Sequence, residues 1–319
     1  MNGDKHFEIG IVGAGPAGLS AAIWLARYLH SVVVVDSADP RNWETRSING
    51  YLGLEHVKPA DLRAAGRDNC RSLGVELVDA TVLRAERETD DDFMLSLEGG
   101  GRLRTRRLLL AIGLRDVWPE IPGLSQAYGT NAHVCPDCDG YDARGKKVVV
   151  IGNGRRSVGL ALNLTTWTDD IIICTNGRPA DLDEPEYCEK LDALNIPVLT
   201  DRIIRVCCEN NEIRCLMLED GKQLDADKVF FSIAQYPADD LGAQLGCERD
   251  DEGHIVVDAQ GRTSVTHVYA AGDITPGPQI AIGAAAEGAA AALSIHKSLV
   301  PDERKLIPLE PVTPATSSR

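Results

Sequence analysis

The sequence predicts an α/β fold built from two Rossmann-like, three-layer units. Three stretches carry this expectation. "FEIGIVGAGPAGLSAAIWLARYLHSVVVVDS" (7–37) and "KKVVVIGNGRRSVGLALNLTTWTDDIIICTNGRP" (146–179) each read as an apolar strand, a glycine turn, a helix and a second strand. "THVYAAGDITPGPQIAIGAAAEGAAAAL" (266–293) reads as a strand ending in Ala271-Gly272-Asp273, then a Gly/Ala-rich helix. Short apolar strands alternating with helices are the pattern of a parallel sheet covered on both faces.

The first unit carries a dinucleotide fingerprint. Gly13, Gly15 and Gly18 fit G-x-G-x-x-G. Gly13 allows the tight turn, Gly15 lets a pyrophosphate approach the backbone, and Gly18 lets helix and strand pack closely. The second strand, Val32–Val35, ends in Asp36, where an acid can accept ribose hydroxyls. A tight turn with no ligand is the plain alternative. In the third stretch Gly272 allows close approach, and Asp273 can accept from a ribityl hydroxyl. "LLLAIGLRD" (108–116) reads as a buried strand ending in Ala111-Ile112-Gly113.

Composition bounds the partners. At 319 residues the chain holds about two domains. With 44% hydrophobic and 25% charged residues it can bury a core. The net charge of −15 repels phosphate backbones and anionic lipid, so neither nucleic acid nor a membrane is an expected partner. No apolar run approaches the roughly 18 residues of a span, and no charged-then-apolar leader opens the sequence. Nine irregularly spaced cysteines do not form a secreted disulfide framework. A soluble cytoplasmic protein is expected.

"HVCPDCDGYD" (133–142) places Cys135 and Cys138 at CxxC spacing, followed by Asp139. A zinc site needs two more ligands at metal spacing; there is no second CxxC, and His133 lies too close to complete a tetrahedron. A pair of buried thiols is a second reading. A redox disulfide is the expected one, because CxxC closes a small ring and stabilises thiolate. For Asp139, a cap on the following turn is the plain alternative.

Together these stretches resemble the two-dinucleotide-binding-domain flavoproteins, and "CPDCDG" resembles the active-site motif of low-molecular-weight thioredoxin reductases. The resemblance runs in order over about residues 7–300. It implies that the second unit is inserted in the first. The FAD-binding domain is then 1–117 and 246–300, and the inserted NAD(P)-binding-like domain is 118–245, carrying the CxxC. A tail follows at 301–319. "DPRNWETRSINGYLGL" (39–54) is similar to a stretch of thioredoxin-reductase-like proteins and dithiol oxidases. The resemblance implies FAD contacts from Gly13, Gly15, Pro16, Ala17, Gly18, Asp36, Arg41, Asn49, Val82, Ala111, Gly113, Gly272, Asp273, Gln279 and Ile280. It also implies roles: Cys138 faces the flavin, Cys135 is the interchange thiol, and Asp139 shuttles the proton. It implies a homodimer as well.

The second unit departs from the family. Gly152 and Gly154 keep the first two glycines, but Ser157 takes the third small position. Arg155 and Arg156 mark a candidate second nucleotide site, or are simply solvated. NADPH-dependent members carry a His-Arg-Arg cluster at the next strand end to hold the 2′-phosphate. Here the sequence reads Cys174-Thr175-Asn176-Gly177, with only Arg178 nearby. NADPH is therefore doubtful, and a ferredoxin donor or a second bound dinucleotide stays open. Asp137, between the sulfurs, disfavours thiolate and shifts the couple's potential. The expected function is an FAD-dependent disulfide oxidoreductase acting on a thioredoxin-like protein. The alternatives are a dithiol oxidase using oxygen on a small molecule, and a non-catalytic flavin- or nucleotide-binding protein. The proline-bearing tail (Pro301, Pro308, Pro311, Pro314) cannot be helical throughout and is read as disordered, with a segment docked over the active site as the alternative.

Overall fold

A computed structural model describes residues 5–41 and 45–305; the tail beyond residue 305 lies outside the described residues. The chain opens with strand β1 (Lys5–Val12), helix α1 (Pro16–Arg27) and strand β2 (Val32–Asp36). Helix α2 (Pro59–Ser72) leads to β3 (Glu76–Asp79), β4 (Val82–Arg87), β5 (Phe93–Leu97) and β6 (Arg102–Leu110). These six strands run β3-β2-β1-β6-β5-β4 across one sheet. The core side is parallel and the β4-β5-β6 edge antiparallel. β2 is buried along its whole length, as a strand covered on both faces must be.

β7 (Leu114–Val117) leads out of this sheet into a second one. There the chain forms α3 (Leu124–Ala127), β8 (Ala132–His133), α4 (Pro136–Asp139), β9 (Val148–Ile151) and α5 (Gly154–Leu164). It continues through β10 (Ile171–Cys174), α6 (Pro185–Ala193) and β11 (Val198–Leu199). β12 (Ile203–Glu209), β13 (Glu212–Leu218) and β14 (Gln223–Asp225) form an antiparallel three-stranded sheet, and β15 (Lys228–Phe231) closes the order β11-β10-β9-β15-β8. Val206, Leu216 and Leu218 pack the small sheet onto Val149 and Phe231 of the larger one. β16 (Ala234–Pro237) returns alongside β7, paired antiparallel from Ala234↔Val117 to Pro237↔Leu114.

After α7 (Leu241–Gln244), β17 (Val268–Ala270) rejoins the first sheet by pairing parallel to the C-terminal half of β6. Helix α8 (Ala281–Leu299) then packs across α1. The two helices approach closely because the contact is made of small residues: a Cβ at Gly288 would collide with the backbone of Ala17. Leu25 and Ile295 are fully buried in the same core. Among the described residues, no helix is long and apolar enough to cross a membrane.

Candidate active site

Cys135 and Cys138 form a disulfide at the start of α4. Pro136 is the first residue of that turn, where a missing N–H costs nothing. The Cys138 amide donates to Cys135 Sγ at 3.2 Å. The other seven cysteines are free thiols. No cluster of three or more metal-ligating side chains occurs among the described residues.

Asp139 makes no side-chain cap on the turn that follows it. Its carboxylate instead takes two long polar contacts, His133 Nδ1 to Oδ2 at 3.3 Å and Asn49 Nδ2 to Oδ1 at 3.4 Å. Asn49 Nδ2 also donates to the Cys138 carbonyl at 3.0 Å, and Asn49 Oδ1 contacts Ser47 Oγ (3.2 Å) and His56 Nδ1 (3.1 Å). One amide from the first unit thus holds both the second sulfur's backbone and the neighbouring acid. On the far side, His133 Nε2 lies 3.4 Å from Lys228 Nζ, which donates to the Thr130 carbonyl at 3.2 Å. Burial holds the Lys228 ammonium below its ordinary pKa, although Asp142 and Asp139 act the other way.

The first glycine turn sits where strand ends converge. Gly13 N–H donates to Val35 (2.8 Å), Ala111 N–H to Val12 (2.8 Å) and Ala271 N–H to Leu110 (3.2 Å). Gly13 has φ +101°, and a Cβ there or at Gly18 would strike backbone carbonyls. At Gly15 nothing stands within 4 Å of an added Cβ. That open face, at the carboxyl ends of parallel strands and beside Pro16 and Ala17 of α1, is where a dinucleotide pyrophosphate fits. Gly272 (φ +82°) packs against Ala17, and Gly113 (φ +68°) closes the β6 end. The residues present therefore fit FAD.

Several predicted contact residues are engaged with protein partners. Asp36 accepts from the Ala14 amide (3.0 Å), Arg63 (2.8 Å) and Arg67 (3.3 Å). Arg41 donates to Asp116 (2.9 Å), Asp273 (3.1 Å) and Gln279 (2.7 Å). Burial opposes its charge, but the two carboxylates prevail and raise its pKa. Ile280 precedes α8, and Val82 points into the core. Sequence reasoning passes over Arg63, Arg67, Asp116, Gln235 and Glu287. The last accepts from the Gly272 amide at 2.8 Å. Arg63 and Arg67 carry the one readable signal, an i, i+4 pair on one face of α2.

The second glycine turn is engaged by its own chain. The Gly154 amide, first in α5, donates to the Ala180 carbonyl at 3.0 Å. Asp181, with φ +52°, places its carboxylate on Asn153 Nδ2. The nearest atom to a Cβ added at Gly154 belongs to Asp181. Arg156 turns away to the Ile233 carbonyl (3.0 Å), and Arg155 lies near Glu186 on α6. At Gly152 an added Cβ would meet Ser232.

Residues 7–288 match the family described as Pyridine nucleotide-disulphide oxidoreductase. Thioredoxin reductase tcpT of Claviceps purpurea is 30% identical over 278 residues, covering 82% of this chain and 85% of that protein. An alkyl hydroperoxide reductase component of Pseudomonas aeruginosa is 28% identical over 308 residues; the match covers 92% of this chain and 58% of that longer protein. The crystal structure of HlmI superposes with a TM-score of 0.87 at 33% identity, covering 94% of this chain and 93% of that one.

Proposed function

Because the chain belongs to the pyridine nucleotide-disulphide oxidoreductase family, and so is a flavin-dependent disulfide oxidoreductase, we propose that it exchanges electrons between FAD and the Cys135–Cys138 disulfide without using NADPH efficiently. The observation that carries this is the Asn49 bridge, which fixes Cys138 and Asp139 against the first unit. When bound, FAD supplies or accepts the electron pair. The chain's residues do the rest. Opening the S–S bond takes two electrons and two protons, and Asp139 stands next to the sulfurs to pass one of them. Cys138, tied to Asn49, is the flavin-side sulfur. Cys135 is the interchange thiol that attacks a substrate disulfide, and Cys138 then releases the product by re-forming the internal bond.

Residues 118–245 are read as the inserted unit. Its glycine turn is the place for a second dinucleotide, but Ala180 and Asp181 occupy it from within. The donor is therefore sought among dithionite-like or protein reductants of low potential. A thioredoxin-like protein is the substrate class, by similarity to relatives named as thioredoxin reductases.

The test is an anaerobic one. Enzyme reduced with dithionite should reduce the disulfide of an added thioredoxin, and Cys135→Ser should not. No turnover by reduced wild type, together with oxygen uptake when small dithiols are added to oxidised enzyme, would assign the dithiol-oxidase direction instead.

A further inference from the structure

His133 is almost fully enclosed, with its side chain 6% exposed beside the Phe230 ring. Both its ring nitrogens face charged groups: Nδ1 meets Asp139 at 3.3 Å and Nε2 meets Lys228 at 3.4 Å. Lys228 is donor-only, so Nε2 accepts, and the neutral ring then carries its proton on Nδ1, the nitrogen 3.3 Å from the carboxylate. The three groups form one polar line. It runs from the acid beside the sulfurs, through His133 on the edge strand β8, to the half-buried Lys228 at the start of β15.

We propose that His133 is a positioning and proton-relay residue, coupling Asp139 to bulk water through Lys228. This rests on the reading that Cys135–Cys138 is the working redox pair. When that disulfide is reduced by the electron pair that bound FAD would supply, the S–S bond breaks and each sulfur becomes a thiolate. The Asp139 carboxylate takes a proton from His133 Nδ1–H as His133 Nε2 takes one from the Lys228 ammonium; Asp139 passes its proton to one sulfur, and water restores Lys228. Oxidation of the dithiol runs the same line backwards. Asn49 cannot replace His133 here, because an amide donates a hydrogen bond but passes on no proton.

The electrostatic surroundings fit this role. Besides His133, Asp139 has Asn49 at hydrogen-bond range and the Tyr128 hydroxyl in its field. Lys228 is faced by Asp142 and Asp139, by Glu212 on β13 and by Lys146. Burial lowers the Lys228 pKa and so makes its ammonium a readier proton donor than a free lysine, while Asp142, Asp139 and Glu212 act the other way.

The test reads Cys138 itself. In a Cys135→Ser background, the rate of Cys138 alkylation by iodoacetamide is followed against pH by peptide mass spectrometry. A carboxylate beside the sulfur disfavours its thiolate, so the Asp139–Cys138 pair gives that profile an inflection. His133→Phe should move the inflection up by about one pH unit, the order of one close polar contact to a charged group. His133→Asn, which retains a donor near the Nδ1 position, should move it back. In the otherwise wild-type enzyme, both variants and Lys228→Met should slow dithiol–disulfide turnover by about tenfold or more and enlarge its solvent isotope effect.

An unmoved inflection in His133→Phe would overturn the positioning role. Turnover with an unchanged isotope effect in His133→Asn and Lys228→Met would overturn the relay. Should His133→Phe fail to fold, His133→Asn and Lys228→Met decide alone. Because alkylation needs no turnover, an enzyme inactive toward every disulfide would count against the proposed function and leave this measurement standing.

Discussion

Cys135 and Cys138 share a bond but not an environment. Cys135 receives the Cys138 amide, and Cys138 is held through its carbonyl by Asn49. That asymmetry predicts different spectra for the two serine variants. Cys135→Ser should leave Cys138 as a thiolate beside oxidised flavin and show long-wavelength charge-transfer absorbance; Cys138→Ser should lack it. Both should lose disulfide turnover by three decades or more, as expected on order of magnitude when a nucleophile acting as part of a unit is removed. Absorbance in Cys138→Ser alone would reverse the assignment. Stoichiometric zinc in purified protein, lost to a chelator together with the fold, would reject the redox couple.

At the scale of elements, the α1–α8 crossing and the α7 start each carry a prediction. Gly288→Ala puts a methyl into the Ala17 backbone. Overpacking of this kind costs about 1–3 kcal/mol. A lower melting temperature and weaker FAD retention are expected together, since Ala17 lies in the turn where the pyrophosphate fits; retention unchanged in a destabilised variant would separate the two. At α7, burial pushes the Asp239 carboxyl up to about 6, while the Leu241 amide, which it accepts at 2.9 Å, pulls the other way. Folding therefore favours its protonated form. This contribution is complete below the ordinary value of 3.8 and is lost as pH rises through about 6. Asp239→Asn should be more stable than wild type by about 1–3 kcal/mol at pH 7.5, with the difference vanishing near pH 4, in paired urea melts. The glycine turns are legible in sequence because no other residue fits Gly13 or Gly18. The β12–β14 sheet is not. Its alternation breaks at a bulge between Cys207 and Cys208, and its turn is Asn210-Asn211, both at positive φ, a weaker signal than Asn-Gly. His133 is equally silent as a functional residue, because its partner Lys228 is 95 residues away in the chain.

For the whole molecule, the second glycine turn bears on where electrons enter. On the proposal that NADPH is not used efficiently, the absence of a His-Arg-Arg run at Cys174–Gly177 would cost two arginine–phosphate contacts, about 3–6 kcal/mol and roughly two to four decades of NADPH affinity, unless Arg178 or Arg202, which packs against Gly177, supplies them. Anaerobic stopped-flow should show no useful bleaching of the flavin by NADPH or NADH. Asp181→Gly removes a carboxylate from the mouth of the second glycine turn. It should tighten both nucleotides about fivefold, from about 1 kcal/mol of relieved repulsion, and equally, since the residue faces the turn and not the 2′-phosphate position. Rapid bleaching of wild type by micromolar NADPH would restore the chain to the nucleotide-dependent class.

The paired strands β7 and β16 have a further consequence. The chain leaves the first sheet and re-enters it at one spot, where the Ala238 amide donates to the Gly113 carbonyl at 3.2 Å. On the reading of an inserted unit, we expect the stretch between those two residues, which takes in most of residues 118–245, to be removable as a cassette. A gene in which Gly113 is spliced to Ala238 through a two- or three-residue turn keeps all seven strands of the first sheet in register and both α1 and α8 in place. Such a miniature should fold and turn yellow with added FAD while lacking any dithiol chemistry, and foreign cassettes ligated into the same seam would inherit a flavin at their doorstep.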